Sequence, residues 1–224
     1  METITRIRPD LEPLPIRMRG LAIDDRGYPV PWFVAWHDGK PEFRAADASK
    51  LRLAIRDRLC WVCGHSLGVH MTFVIGPMCG INRTSAEPPS HLECARWSAR
   101  NCPFLSNAAR KRREDEVVNI ENFQRDSAGL AIARNPGVTL LWTTKGYRPF
   151  GDGAGKILIR IGEPESIEFF KDGRQATRAE IDESVRTGLP ILADAAKSEG
   201  EDAEAELERY IARFNSLLPA EKKP

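Results

Sequence analysis

Two pairs of residues in this 224-residue chain have metal-ligand spacing: Cys60 and Cys63 as C-x2-C, and His91 and Cys94 as H-x2-C. A two-residue gap lets one tight turn aim two sulfurs at a single ion. Cysteine thiolate and histidine nitrogen are the donors a tetrahedral Zn²⁺ prefers. Gly64 follows the first pair directly and suits a knuckle that needs positive φ at that point. Residues 64–90, 27 in all, separate the two pairs.

The second pair carries a helix-start signal. Ser90-His91-Leu92-Glu93 reads as a capping box, and Pro88-Pro89 keeps its approach extended. That places His91 first and Cys94 fourth in the helix, on one face. Free N–H groups and the helix dipole there favour a thiolate. Cys79 and Cys102 stay open as replacements for His91 as the fourth ligand. A redox C-x2-C would open a helix within a βαβ unit. Here a helix precedes the motif and a β-rich stretch follows, so metal binding is the better reading. Oxidation of Cys79 or Cys102 in a redox-sensing zinc switch is a further alternative.

The elements that must position these ligands can be read in order. Residues 1–18, polar and proline-rich, read as an extended lead-in. Asp38-Gly39 is a turn pair between apolar stretches, so Trp32 to Arg44 reads as a hairpin. Asp47 caps a helix whose Leu51, Ile55 and Leu59 share a face, and which leads into Cys60. Met71 to Ile75 reads as a strand. Gly76-Pro77 reads as a turn, and Ile81 to Thr84 as its antiparallel return. Knuckle, hairpin, then a helix with two ligands in its first turn resembles a treble-clef zinc finger over residues 58–102. More widely, "RGYPVPWFV", "CWVCG", "FVIGPMC" and "PSHLECARWSARNCPFL" resemble an uncharacterised family of bacterial and phage-associated proteins. That resemblance implies a bacterial or phage origin and includes Cys79 and Cys102 in its shared strings. It supplies no catalytic residues.

The fold class expected is α+β: an N-terminal hairpin and helix, the zinc unit, and a C-terminal antiparallel meander under two helices. Residues 1–106 form the first domain, 107–129 a charged helix and linker, and 130–224 a C-terminal α+β domain. Thr177 and Glu180 make a capping box, and Gly188 with Pro190 should end the helix that follows. In the last helix, 202–218, Leu207, Tyr210, Ile211, Phe214, Leu217 and Leu218 form one stripe. The stripe suits core packing, with a homo-oligomer contact as the other use.

Other chemistry is sparse. An HNH-like nuclease needs a general-base histidine on the hairpin and a second metal site. His70 and Asn82 are near, but the Asp-His pair and a downstream histidine are missing. "GDGAGK" at 151–156 lacks the P-loop spacing and precedes a strand, so it reads as a hairpin loop. Arg96, Arg100, Arg110, Lys111, Arg112 and Arg113 offer a local phosphate-contacting surface, although the formal net charge is only +1. No apolar run reaches the ~18–20 residues of a membrane span. The polar N-terminus shows no secretory h-region, and the odd cysteine count fits a reducing cytoplasm. The reading is a zinc-stabilised, non-catalytic binding protein with a nucleic-acid or protein partner.

Overall fold

A computed structural model describes residues 6–106, 123–124, 137–153 and 155–220. The charged segment expected to form a helix at 107–129 lies outside these, except for 123–124. Among the described residues, no helix is long and apolar enough to cross a membrane. The molecule is α+β, with helices packed on antiparallel sheets.

After a 3-10 turn at Ile16–Met18 come β1 (Val34–His37) and β2 (Lys40–Asp47). They form the expected hairpin, and Asp38 and Gly39 both take positive φ. Asp47 ends β2 and caps α1 (Ala48–Asp57), accepting from the Ser49 and Lys50 amides. β3 (Met71–Ile75) is followed by a short helix, α2 (Pro77–Asn82), and then by β4 (Thr84–Ser85). The expected return strand at Ile81 to Thr84 is therefore not formed; β3 meets the returning chain later, at an antiparallel bridge between Thr72 and Ser90. Pro77 opens α2, because a missing N–H costs nothing at a helix's first turn. Gly80 lets α2 lie close to its neighbours: a Cβ there would stand 2.5 Å from Leu140 and 3.0 Å from Phe214.

Next come α3 (Leu92–Asn101), β5 (Phe123–Gln124), β6 (Thr139–Thr144), β7 (Tyr147–Gly151), β8 (Ile157–Ile161), β9 (Pro164–Lys171) and β10 (Arg174–Gln175). The chain ends in α4 (Arg178–Glu199) and α5 (Glu201–Asn215). Among the described residues three sheets result, ordered β1-β2-β5, β10-β9-β6-β3 and β4-β8-β7. The C-terminal strands thus do not run as one meander. Strands from both sides of residues 107–129 share sheets, β3 with β6 and β4 with β8.

The four-stranded sheet is buried on both faces along β3 and β6. Phe73, Ile75, Leu140, Trp142 and Phe169 face the main core under α4 and α5. Val74, Leu141 and Phe170 alternate with them and face Ala95 and Ala99 of α3. Small alanines let α3 approach the sheet closely, and its opposite side is left to build the metal centre. The Thr177 capping box starts α4 as expected, but α4 does not stop at Pro190. Pro190 is exposed, and the buried stripe from Ile181 to Ala196 continues past it. Packing on that side outweighs one lost backbone hydrogen bond. In α5 the apolar stripe lies on this chain's own core, with Phe214 fully buried.

Candidate metal centre

Four side chains separated in sequence converge. The ligand atoms of Cys60, Cys63, His91 and Cys94 all lie within 4.8 Å of one another, a group that can hold a metal ion. All three cysteines are buried and His91 is half-buried.

The first pair is fixed by backbone closure. Cys60 N–H donates to the His65 carbonyl and Gly64 N–H to the Cys60 carbonyl, each at 2.8 Å. Leu59 bridges Ser66, so the loop is pinched at its base. Gly64 has φ +76°, as the knuckle requires. The Cys60 sulfur accepts from the amides of Cys63 and His91, both at 3.4 Å. Amide-to-sulfur bonds of this kind stabilise a thiolate.

The second pair arrives by a different route from the capping box. Ser90 is in a two-way backbone bridge with Thr72 (2.8 and 2.7 Å), and Glu93 pairs with Arg17. His91 itself is the N-cap of α3, with extended backbone and no side-chain cap. The cap moves by one residue, but the three-residue spacing still sets His91 and Cys94 on one side. His91 Nδ1 lies 3.4 Å from Cys63 Sγ and 4.0 Å from Cys94 Sγ. Nε2 lies 3.1 Å from the Ser66 carbonyl, to which it donates in the tautomer that leaves Nδ1 free as a ligand.

The electrostatics of the cluster suit a cation. Contacts with Cys63 and Cys94 drive the Cys60 thiol far below its ordinary value, while Cys60 and Cys63 drive Cys94 up. Beside the Cys60 and Cys63 sulfurs, the imidazole of His91 is raised to about 10. Three sulfurs this close cannot all be thiolates without a positive partner. A bound metal would supply that charge and hold every ligand deprotonated.

Cys79 and Cys102 are not in the cluster. Cys79 sits in α2 against the main core, where burial pushes its thiol up to about 11. Cys102 caps the C-terminus of α3, and burial pushes its thiol up too. Raised thiols are poor nucleophiles, which disfavours their use in a redox switch. Nor is the hairpin of an HNH-like nuclease formed. His70 pairs with Glu165 (2.5 Å), and the Asn82 side chain accepts from the Thr84 amide. "GDGAGK" is the hairpin connection of β7 and β8, closed by Asp152 and Lys156.

Of the basic residues, Arg96 forms a forked pair with Glu168 on β9, and Arg100 reaches Glu12 at 3.7 Å. Arg110, Lys111, Arg112 and Arg113 lie outside the described residues.

Sequence reasoning missed the cover of the site. Leu14 and Met18, from the supposed lead-in, pack with Cys60, Cys63, Cys94 and Trp97. The signal was present: Leu11, Leu14, Met18 and Leu21 recur at three- and four-residue spacing. Comparison of the chain with family models, curated proteins and solved structures found no match.

Proposed function

We propose that the ion is zinc, that its role is structural, and that the protein is a non-catalytic binding protein. The observation that carries this is the convergence of three sulfurs and one imidazole nitrogen within 4.8 Å. Sulfur-rich donor sets select soft or borderline ions, and tetrahedral zinc suits this one. Zn–S bonds of ~2.3 Å imply donor–donor edges of about 3.8 Å, close to the 3.4 and 4.0 Å that separate His91 Nδ1 from the Cys63 and Cys94 sulfurs. Four protein ligands fill the tetrahedron and leave no place for an activated water, as a structural site requires. Zinc would join the knuckle to α3, and through Ala95 and Ala99 to the central sheet.

Of the two partner classes, a protein is the better supported. Arg96 and Arg100 are engaged by carboxylates of the same chain. Val69, between the two ligand pairs, and Phe104, just after α3, expose large apolar side chains. The test is affinity capture of the zinc-loaded protein, with and without nuclease treatment, beside a Cys60→Ser variant. A protein retained after nuclease and lost with the variant supports the reading. Capture abolished by nuclease assigns a nucleic acid instead, and no capture in any arm overturns the binding role.

A further inference from the structure

We infer that residues 11–21 form a lid over the metal centre, which gates metal exchange and is itself locked shut by the bound metal. This rests on the zinc reading above.

The lid is built unlike the rest of the molecule. Its backbone bonds are local, such as Met18 N–H to the Pro15 carbonyl and Leu21 N–H to the Met18 carbonyl. Among the described residues it joins no sheet. Its attachments are of two kinds. Leu14 (7% exposed) and Met18 (1%) are seated on Cys60, Cys63, Cys94 and Trp97. Polar clasps then tie it to one stripe of α3, spaced i, i+4, i+8. Arg17 pairs with Glu93, the Glu12 carbonyl accepts from Trp97 Nε1, and the Glu12 amide donates to Asn101 Oδ1.

A segment held by two buried anchors, by Leu11 and Leu21 partly buried beside them, and by a few clasps, with no sheet bonds, opens at lower free energy than the sheet core. Opening would uncover sulfurs that are now buried, which is the step a chelator or a competing metal needs. The coupling also runs the other way. The first clasp, Glu93, is next to the ligand Cys94, and both anchors rest on ligand side chains. Metal ligation fixes the start of α3 against the knuckle, so it sets the surface on which the lid closes. Linkage makes this reciprocal: what metal adds to lid closure, lid closure adds to metal retention.

The test uses the full-length, zinc-loaded protein and two readouts. The first is the rate of zinc transfer to an excess of a colorimetric chelator, after metal content and circular dichroism are matched. Met18→Ala should speed transfer by at least about tenfold, since truncating a buried Met shifts the lid's opening equilibrium. Arg17→Gln, which removes only an exposed clasp, should speed it about two- to threefold. Ile16→Ala is the control: it lies in the same turn but is 70% exposed, and should leave the rate unchanged. The second readout is limited trypsin digestion of the wild type, mapped by mass spectrometry at Arg17 and Arg19. Cleavage there should be slow with zinc and fast after chelation. Zinc bound at one equivalent, with equal transfer rates in all variants and cleavage at Arg17 and Arg19 indifferent to metal, overturns the lid alone. A wild type that holds no zinc overturns the zinc reading and the lid together.

Discussion

Gly64→Ala is the sharpest single perturbation of the knuckle. Gly64 has φ +76°, and a Cβ there would stand 2.7 Å from Cγ and Cδ1 of Trp32 and 3.0 Å from Cδ2. Two costs add. An L-residue in the left-handed region costs about 1–2 kcal/mol. Forcing a methyl into a packed ring costs about 1–3 kcal/mol more. The ring cannot easily retreat: the Trp32 backbone amide bonds the Val62 carbonyl at 2.7 Å, which fixes the Cα, and the ring meets Trp61 edge-on. The chain supplies its own control. Gly39 has φ +73° and nothing within 4 Å of its Cβ position, so Gly39→Ala carries only the backbone cost. Urea unfolding in excess zinc should therefore place Gly64→Ala about 1–3 kcal/mol below Gly39→Ala. Adding Trp32→Ala should shrink that gap. If the two glycine variants agree within about 0.5 kcal/mol, the contact between knuckle and Trp32 carries no weight and the reasoning fails.

Two further perturbations probe the frame around the site. Glu180 is held well below the usual carboxylate range by Arg174 and by the Thr177 amide. A depressed carboxylate contributes fully above its ordinary value of 4.5 and loses that contribution as pH falls below it. Glu180→Gln should lower stability at neutral pH and flatten the acid side of the stability profile, as urea melts across pH would report. Pro190→Ala should raise stability by about 1–2 kcal/mol, because it restores a helical N–H on an exposed face of α4. A drop in melting temperature would mean that the proline shapes the helix in a way the core requires.

What could be read from the sequence was local. The C-x2-C and H-x2-C spacings, the Asp38-Gly39 turn, the Asp47 cap and the Thr177 capping box depend on residues a few positions apart, and the stripe of α5 is written in that helix's own period. What could not be read depended on distant partners. "GPMCGINRT" became a helix because Gly80 lets it rest on Leu140 and Phe214, which lie far along the chain. Ser90 lost its cap role to Thr72, and Glu93 to Arg17, pairs that no local signal announces. Arg96 and Arg100 read as an open basic surface until Glu168 and Glu12 came into contact with them. The metal site was legible because its ligands sit in two short motifs. Its cover was not, because an irregular segment shows its partner only once α3 is in place.

The central claim is the identity and ligand set of the metal centre. Zinc X-ray absorption on the purified protein, with metal content measured on the same sample, tests it most directly. One equivalent of zinc per chain is expected, with three sulfurs at about 2.3 Å and one nitrogen at about 2.0 Å. The same spectrum should persist in a Cys79→Ser/Cys102→Ser double variant, and zinc should be lost in Cys60→Ser. Less than half an equivalent, a four-sulfur shell, or zinc lost with Cys79 and Cys102 instead would contradict the site described here.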